Sequence, residues 1–386
     1  MIYLDQAATS FPKPLAVRNE MLQCMTRYGG NPGRGSHALS MAAAEKIYEC
    51  RTLAADFFGV PEPERVFFTM NTTHGLNTVL KGLLREGDHV LLSDLEHNAV
   101  YRPIWRMAEE GKITYDIFPS MVGNPAANAT RICAGIARRL RPNTRMVVCT
   151  HASNICSYTL PIAEIGSFCH RHGLLFVVDG AQSAGHEKLS VDEMQIDALC
   201  LPGHKGLYGP QGCGMVILGE GVLPEPLTEG GNGVNSLEGS MPDFSPERYE
   251  AGTLPTPAIA GLCEGIRSVN EAGREAILAH EKRLYRRARE LLENTEGVEL
   301  YVPEYEGAIL LFNLKGLSSE RVAACLSERG VCVRGGYHCS SLGHRTLNTP
   351  PGGAVRLSFG RYNRQAEVEQ LWQTLVAIRE ENELFH

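Results

Sequence analysis

Between residues 65 and 220 the sequence alternates short apolar runs with stretches of helical spacing, and this constrains the fold more than any other feature. "RVFFT" (65–69), "HVLLS" (89–93), "MVVCT" (146–150), "LLFVVD" (174–179), "ALCL" (198–201) and "GCGMVIL" (212–218) read as strands, because each run is short and apolar. Between them, "THGLNTVLKGLL" and "IAEIGSFCHRHG" carry apolar residues at helical spacing and close on basic residues or glycine, as helix ends prefer. Such alternation predicts βαβ units and an α/β fold built on a mainly parallel sheet.

From 221 to 257 the pattern gives way to a long Gly/Pro-rich connection, of the kind that bridges domains or carries function. Beyond it the spacing predicts a long helix over 258–294, short strands at "GAILLFNL" and "AVRLSF", and a last helix near 365–380, together a smaller α+β domain. The expected division is a large domain over 16–260 and a small one formed by 1–15 with 261–386. Hydrophobic residues at 43% and charged residues at 21% exclude a disordered chain, and a net charge of −7 without a basic stripe excludes nucleic acid as a natural partner. No run approaches the ~20 apolar residues of a membrane span, and "MIYLDQAATS" has an acid where an export signal is basic then apolar, so a cytoplasmic location away from membranes is expected. The twelve cysteines show no CxxC pair and no zinc-like spacing; no metal site is expected, and most thiols should be small buried hydrophobes.

In open parallel sheets ligands bind at the carboxyl ends of the strands. Polar residues collect there. After the first strand, Asn71, Thr72 and Thr73 open a helix, either as a plain cap or as a phosphate cradle of N–H groups and hydroxyls. After the second comes His97, either a structural loop histidine or a group for acid–base work or ring stacking. Asn154 follows the third, in a turn. Asp179 closes the fourth, with Gln182 close behind. A carboxylate ending a buried strand needs a partner; a helix start is one candidate, and the ring nitrogen of a pyridoxal cofactor another. Lys205 then follows His204 at the end of "ALCL". Alone it reads first as a solvated turn lysine; in sequence with the other strand ends it becomes a lysine able to hold pyridoxal phosphate as a Schiff base.

The chain resembles the class V aminotransferases, and among them the cysteine desulfurases of the second group, related to sulfur-mobilisation and selenocysteine lyase enzymes. "YLDQAATS", "GRGSHALS", "TTHGLN", "LEHNA", "THASN", "VVDGAQSAG", "GHKGLYGPQG", "RYEAGT" and "RGGYHCSS" fall in the family's order over essentially the whole chain. The resemblance implies the type I fold of pyridoxal-phosphate-dependent transferases. It implies Lys205 as the Schiff-base lysine, Asp179 on the pyridine nitrogen, Gln182 near the ring hydroxyl and His97 against the ring. Thr72, Thr73 and His204 fall to the phosphate, and Thr253 of "RYEAGT" to the phosphate of a second subunit, hence a homodimer. Asn154, Arg356, Arg334 and His37 fall to substrate, and Cys339 of "RGGYHCSS" to the sulfur nucleophile. The implied reaction converts L-cysteine to L-alanine, leaves a persulfide on Cys339 and passes its sulfur to an acceptor. Selenocysteine lysis, transamination and epimerisation on the same scaffold are the alternatives. The chain departs from the family at Pro202, where a serine is common, and at His97–Asn98 and Tyr337–His338, where adjacent histidines are common.

Overall fold

The computed structural model describes residues 1–33 and 35–383. In chain order its strands are β1 (Ile2–Tyr3), β2 (Val66–Thr69), β3 (His89–Ser93), β4 (Thr114–Phe118), β5 (Thr144–Thr150), β6 (Leu175–Asp179), β7 (Ala198–Pro202), β8 (Gly214–Leu218), β9 (Val298–Tyr301), β10 (Ile309–Leu314), β11 (Val331–Cys332), β12 (Arg334–Gly336) and β13 (Ala354–Ser358). Seven of them form one sheet in the order β2-β8-β7-β6-β5-β3-β4. Its pairings are parallel from β7 across to β4, and only β8 runs against its neighbours. This is the α/β sheet the alternation predicts.

The strands are continuously apolar because both faces are covered. Val147, Cys149, Phe176, Val178, Leu199 and Leu201 enter one core. The residues between them, Met146, Val148, Val177, Ala198 and Cys200, enter a second core on the opposite face. Helices Thr72–Leu83 and Asn98–Glu109 cover that second face. β4 has no counterpart in the expected strands. It is the sheet's edge, so "TYDIF" keeps its first residue exposed and tolerates a central aspartate.

A four-stranded antiparallel sheet, β12-β13-β10-β9, carries the second body, and β1 pairs with β11 beside it. Its own core joins Leu4, Leu284, Phe312, Leu357 and Leu371. The single helix expected over 258–294 is instead two, Thr256–Ala272 and Arg274–Glu293, because Gly273 takes a left-handed φ of 77° that ends the first. The first of the pair sinks Ile259, Leu262, Cys263 and Ile266 into the core of the large sheet. Between β8 and Thr256 the described chain holds neither helix nor strand.

Candidate active site

The carboxyl ends of β2, β3, β5, β6 and β7 open into one cavity of about 290 Å³. Asn71, Thr72 and Thr73 line it from the start of helix Thr72–Leu83, His97 from behind β3, and Thr150 and Asn154 from β5 and its turn. Asp179, Ala181 and Gln182 follow β6; Pro202, His204 and Lys205 end β7. The sheet therefore brings together eight of the expected site residues: Thr72, Thr73, His97, Asn154, Asp179, Gln182, His204 and Lys205.

Lys205 is set by a close approach of backbone. Any Cβ on the next residue, Gly206, would stand 2.2 Å from the Ala184 carbonyl oxygen, so only glycine lets the lysine turn lie against the segment behind β6. Burial pushes the Lys205 ammonium down to about 8; Asp179 opposes this and Arg356 adds to it. Asp179 is buried and accepts from the Ala181 amide at 2.9 Å, and burial raises its carboxyl above the usual range. The two groups oppose each other's shifts across the cavity.

The capping reading of Asn71 holds. Asn71 caps the helix by accepting from the His74 amide at 2.9 Å, while the hydroxyl of buried Thr72 has no partner among the described residues. His204 Nδ1 is likewise buried and unpartnered among the described residues, and burial, then Lys205, push its imidazole to about 4. Together with the open N–H groups of a helix start, these are donors aimed where an anion would sit. Pro202 lines the same cavity and offers none.

His97 caps helix Asn98–Glu109: its Nδ1 accepts from the Ala99 amide at 3.0 Å. The ring proton is therefore on Nε2. Burial, Lys205, Arg356 and Arg102 push its pKa to about 4, so the imidazole is neutral. The preceding Glu96, which the sequence does not single out, is fully buried; one oxygen takes the Ser93 hydroxyl and the Thr150 amide, and the other has no partner among the described residues. Burial raises Glu96 to about 8.

The remaining expected residues lie outside the cavity lining. Arg334 and Arg356 face each other across β12 and β13, where like charges repel. Asp5 reconciles them, accepting from Arg356 at 2.9 Å through one oxygen and from Arg334 at 2.9 and 3.1 Å through the other. Arg356 is buried and also donates to the Asn154 carbonyl at 2.9 Å, which brings its charge to the cavity rim. Cys339 is the only exposed cysteine of the twelve; nine are buried. Its turn docks on that rim: Asn154 donates to the His338 carbonyl at 2.7 Å, and the Asn98 amide to the Cys339 carbonyl at 2.7 Å. Thr253 lies apart in an open groove of about 670 Å³ with Arg51 and Glu250. His37 is exposed and caps helix Ala38–Phe57, accepting from the Ser40 amide at 3.2 Å.

On this sheet a lysine and an acid end adjacent strands over one cavity. Residues 2–371 match the model of the class-V aminotransferases. The chain is 33% identical to a probable cysteine desulfurase of Methanothermobacter thermautotrophicus over 98% of its length and 94% of the relative's. It is 32% identical to one of Pyrococcus abyssi over 99% and 94%. The apo structure of a cysteine desulfurase from Thermococcus onnurineus superposes with a TM-score of 0.88 at 31% identity, covering 98% of this chain and 95% of that one. A cysteine desulfurase of Escherichia coli superposes at 0.84 and 26% identity, covering 98% and 94%. The chain belongs to the class-V aminotransferase family.

Proposed function

We propose that this protein is a pyridoxal-phosphate-dependent cysteine desulfurase, converting L-cysteine to L-alanine and holding the removed sulfur as a persulfide on Cys339. The observation that carries the reading is the docking of the one exposed thiol's turn, by Asn98 and Asn154, on the rim of the cavity that holds Lys205.

The cavity's chemistry fits the cofactor. Unpartnered Thr72 Oγ1 and His204 Nδ1, with the helix start and Thr73, suit a phosphate; buried Asp179 suits a cationic ring nitrogen, and Gln182 and His97 its flanks. When bound, pyridoxal phosphate supplies a covalent tether for the substrate amine and a sink for the electron pair left at Cα. Lys205, its amine poised by burial, takes the Cα proton. His97 holds a proton on Nε2 and serves as a donor at the ring face. Arg356, with Arg334 behind it, attracts the substrate carboxylate. Cys339 Sγ forms a bond to the substrate sulfur as the Cβ–S bond breaks; a proton added to Cβ and the return of one from Lys205 to Cα complete alanine. The sulfur then passes to an acceptor protein or thiol.

Thr253 lies in a groove that does not include Lys205, with exposed Tyr48 and Phe244. This supports a homodimer in which Thr253 serves the neighbouring cavity. The packing of helix Thr256–Ala272 into the core of the large sheet supports moving the second boundary of the expected division from 260 to Gly273. A cytoplasmic location goes with the same reading.

The test incubates the cofactor-loaded protein with L-cysteine, L-selenocysteine or cysteine sulfinate and quantifies alanine and released sulfur or selenium. Alanine and persulfide from L-cysteine, both lost in Cys339→Ser, are expected. Undiminished turnover in Cys339→Ser contradicts the proposal.

A further inference from the structure

Behind the thiol-bearing turn lies a pair of histidines. His338 and His344 are buried, with rings 5.3 Å apart and inclined by 18°. His338 Nε2 lies 3.1 Å from the Arg334 carbonyl oxygen, and its Nδ1 3.0 Å from His344 Nε2. His344 Nδ1 lies 2.8 Å from Thr349 Oγ1.

With both rings neutral, only one arrangement of protons satisfies all three contacts. A carbonyl only accepts, so His338 carries its proton on Nε2 and presents a lone pair at Nδ1. His344 must then donate from Nε2, and its Nδ1 accepts the Thr349 hydroxyl proton. Both rings are neutral in this arrangement. Burial, followed by the charge of Arg356, keeps them so, with His338 at about 3 and His344 at about 4.

The line ends where the backbone is under strain. His338 and Cys339 have consecutive φ values of 51° and 55°, a left-handed pair that costs non-glycine residues about 1 kcal/mol or more each. Such a turn persists only where its contacts over-determine it. On the cavity side Asn98 and Asn154 grip the two carbonyls. On the inner side the His338 ring is held by the Arg334 carbonyl and by His344, against whose ring Tyr337 packs edge-on at 5.5 Å.

We propose that His344 is a positioning residue for Cys339: by donating its Nε2 proton to His338 it locks the left-handed turn and holds the thiol at the cavity rim. The inference rests on reading Cys339 as the nucleophile. It assigns His344 no contact with substrate.

The test compares His344→Phe, which keeps a ring but has no donor, with His344→Gln, whose amide nitrogen can replace Nε2. Thr349→Val, which removes the hydroxyl fixing the His344 tautomer, is the second probe should the phenylalanine variant fold poorly. The readouts on the full-length, cofactor-loaded protein are kcat and KM for L-cysteine, and deuterium uptake of segment 337–341 by mass spectrometry. His344→Phe is expected to lower kcat about tenfold, the rate equivalent of one lost hydrogen bond, with KM changed less than about twofold and uptake in 337–341 accelerated. Thr349→Val should move both readouts the same way by a smaller amount, and His344→Gln should restore both. Unaltered kcat and uptake in His344→Phe and Thr349→Val, or a glutamine variant as impaired as the phenylalanine one, overturns the proposal. Cys339→Ser run alongside separates the two claims: if it still desulfurates, the nucleophile reading fails, while the uptake data alone still decide whether His344 holds the turn.

Discussion

Replacing Lys205 by methionine is expected to stabilise the cofactor-free fold by an amount that depends on pH. Burial lowers the Lys205 pKa from 10.5 to about 8. In the unfolded chain the amine keeps its ordinary value, so below pH 8 the native state holds this proton less firmly than the unfolded chain does. The resulting destabilisation is present in full below the folded pKa and fades as the pH rises through it toward 10.5. Each tenfold difference in proton affinity is worth about 1.4 kcal/mol, so removing the amine should gain about 3 kcal/mol at pH 7 and under about 1 kcal/mol at pH 10. Methionine keeps the volume of the stem, so packing changes little. Urea denaturation followed by circular dichroism, on wild type and variant at both pH values, reads the difference and cancels the titrating groups that Lys205 does not touch. An equal gain at both pH values, or a loss at pH 7, refutes the burial argument.

Asp179→Asn leaves the Lys205 cavity without its acid; alanine formation from L-cysteine, followed by amino-acid analysis, should fall by about 100-fold or more. Asp5→Asn leaves Arg334 and Arg356 facing each other uncompensated, and should cost about 3 kcal/mol in urea denaturation. Pro202→Ser puts a hydroxyl in the phosphate end of the cavity and should tighten cofactor binding about tenfold, measured by spectroscopic titration. Thr253→Ala and Lys205→Ala chains, each impaired alone, should recover activity when refolded together, because one site of the mixed dimer has both residues; no recovery means Thr253 acts within its own chain or not at all.

The large sheet was readable because its strands are covered on both faces, which leaves continuous runs such as "LLFVVD" and "ALCL" in the sequence. β4 was hidden by the opposite cause: at the edge, half exposed, "TYDIF" has no apolar run to betray it. The break at Gly273 was masked because apolar spacing continues on either side of it, and one left-handed residue leaves no periodic trace. The strand-end residues were legible because parallel topology puts every carboxyl end on one side, so order along the chain becomes proximity in space. Asp5, Glu96 and His344 act through partners reached by folding. Asp5 meets arginines more than 300 residues away, Glu96 closes on Thr150 across two strands, and His344 matters only once the 338–339 turn has its left-handed shape.

Borohydride reduction of the cofactor-loaded protein, followed by peptide mapping, tests the central assignment most directly. A single pyridoxyl group on the peptide containing Lys205, absent from Lys205→Ala, is the predicted result. A label on any other lysine, or none on a protein that has bound the cofactor, contradicts it.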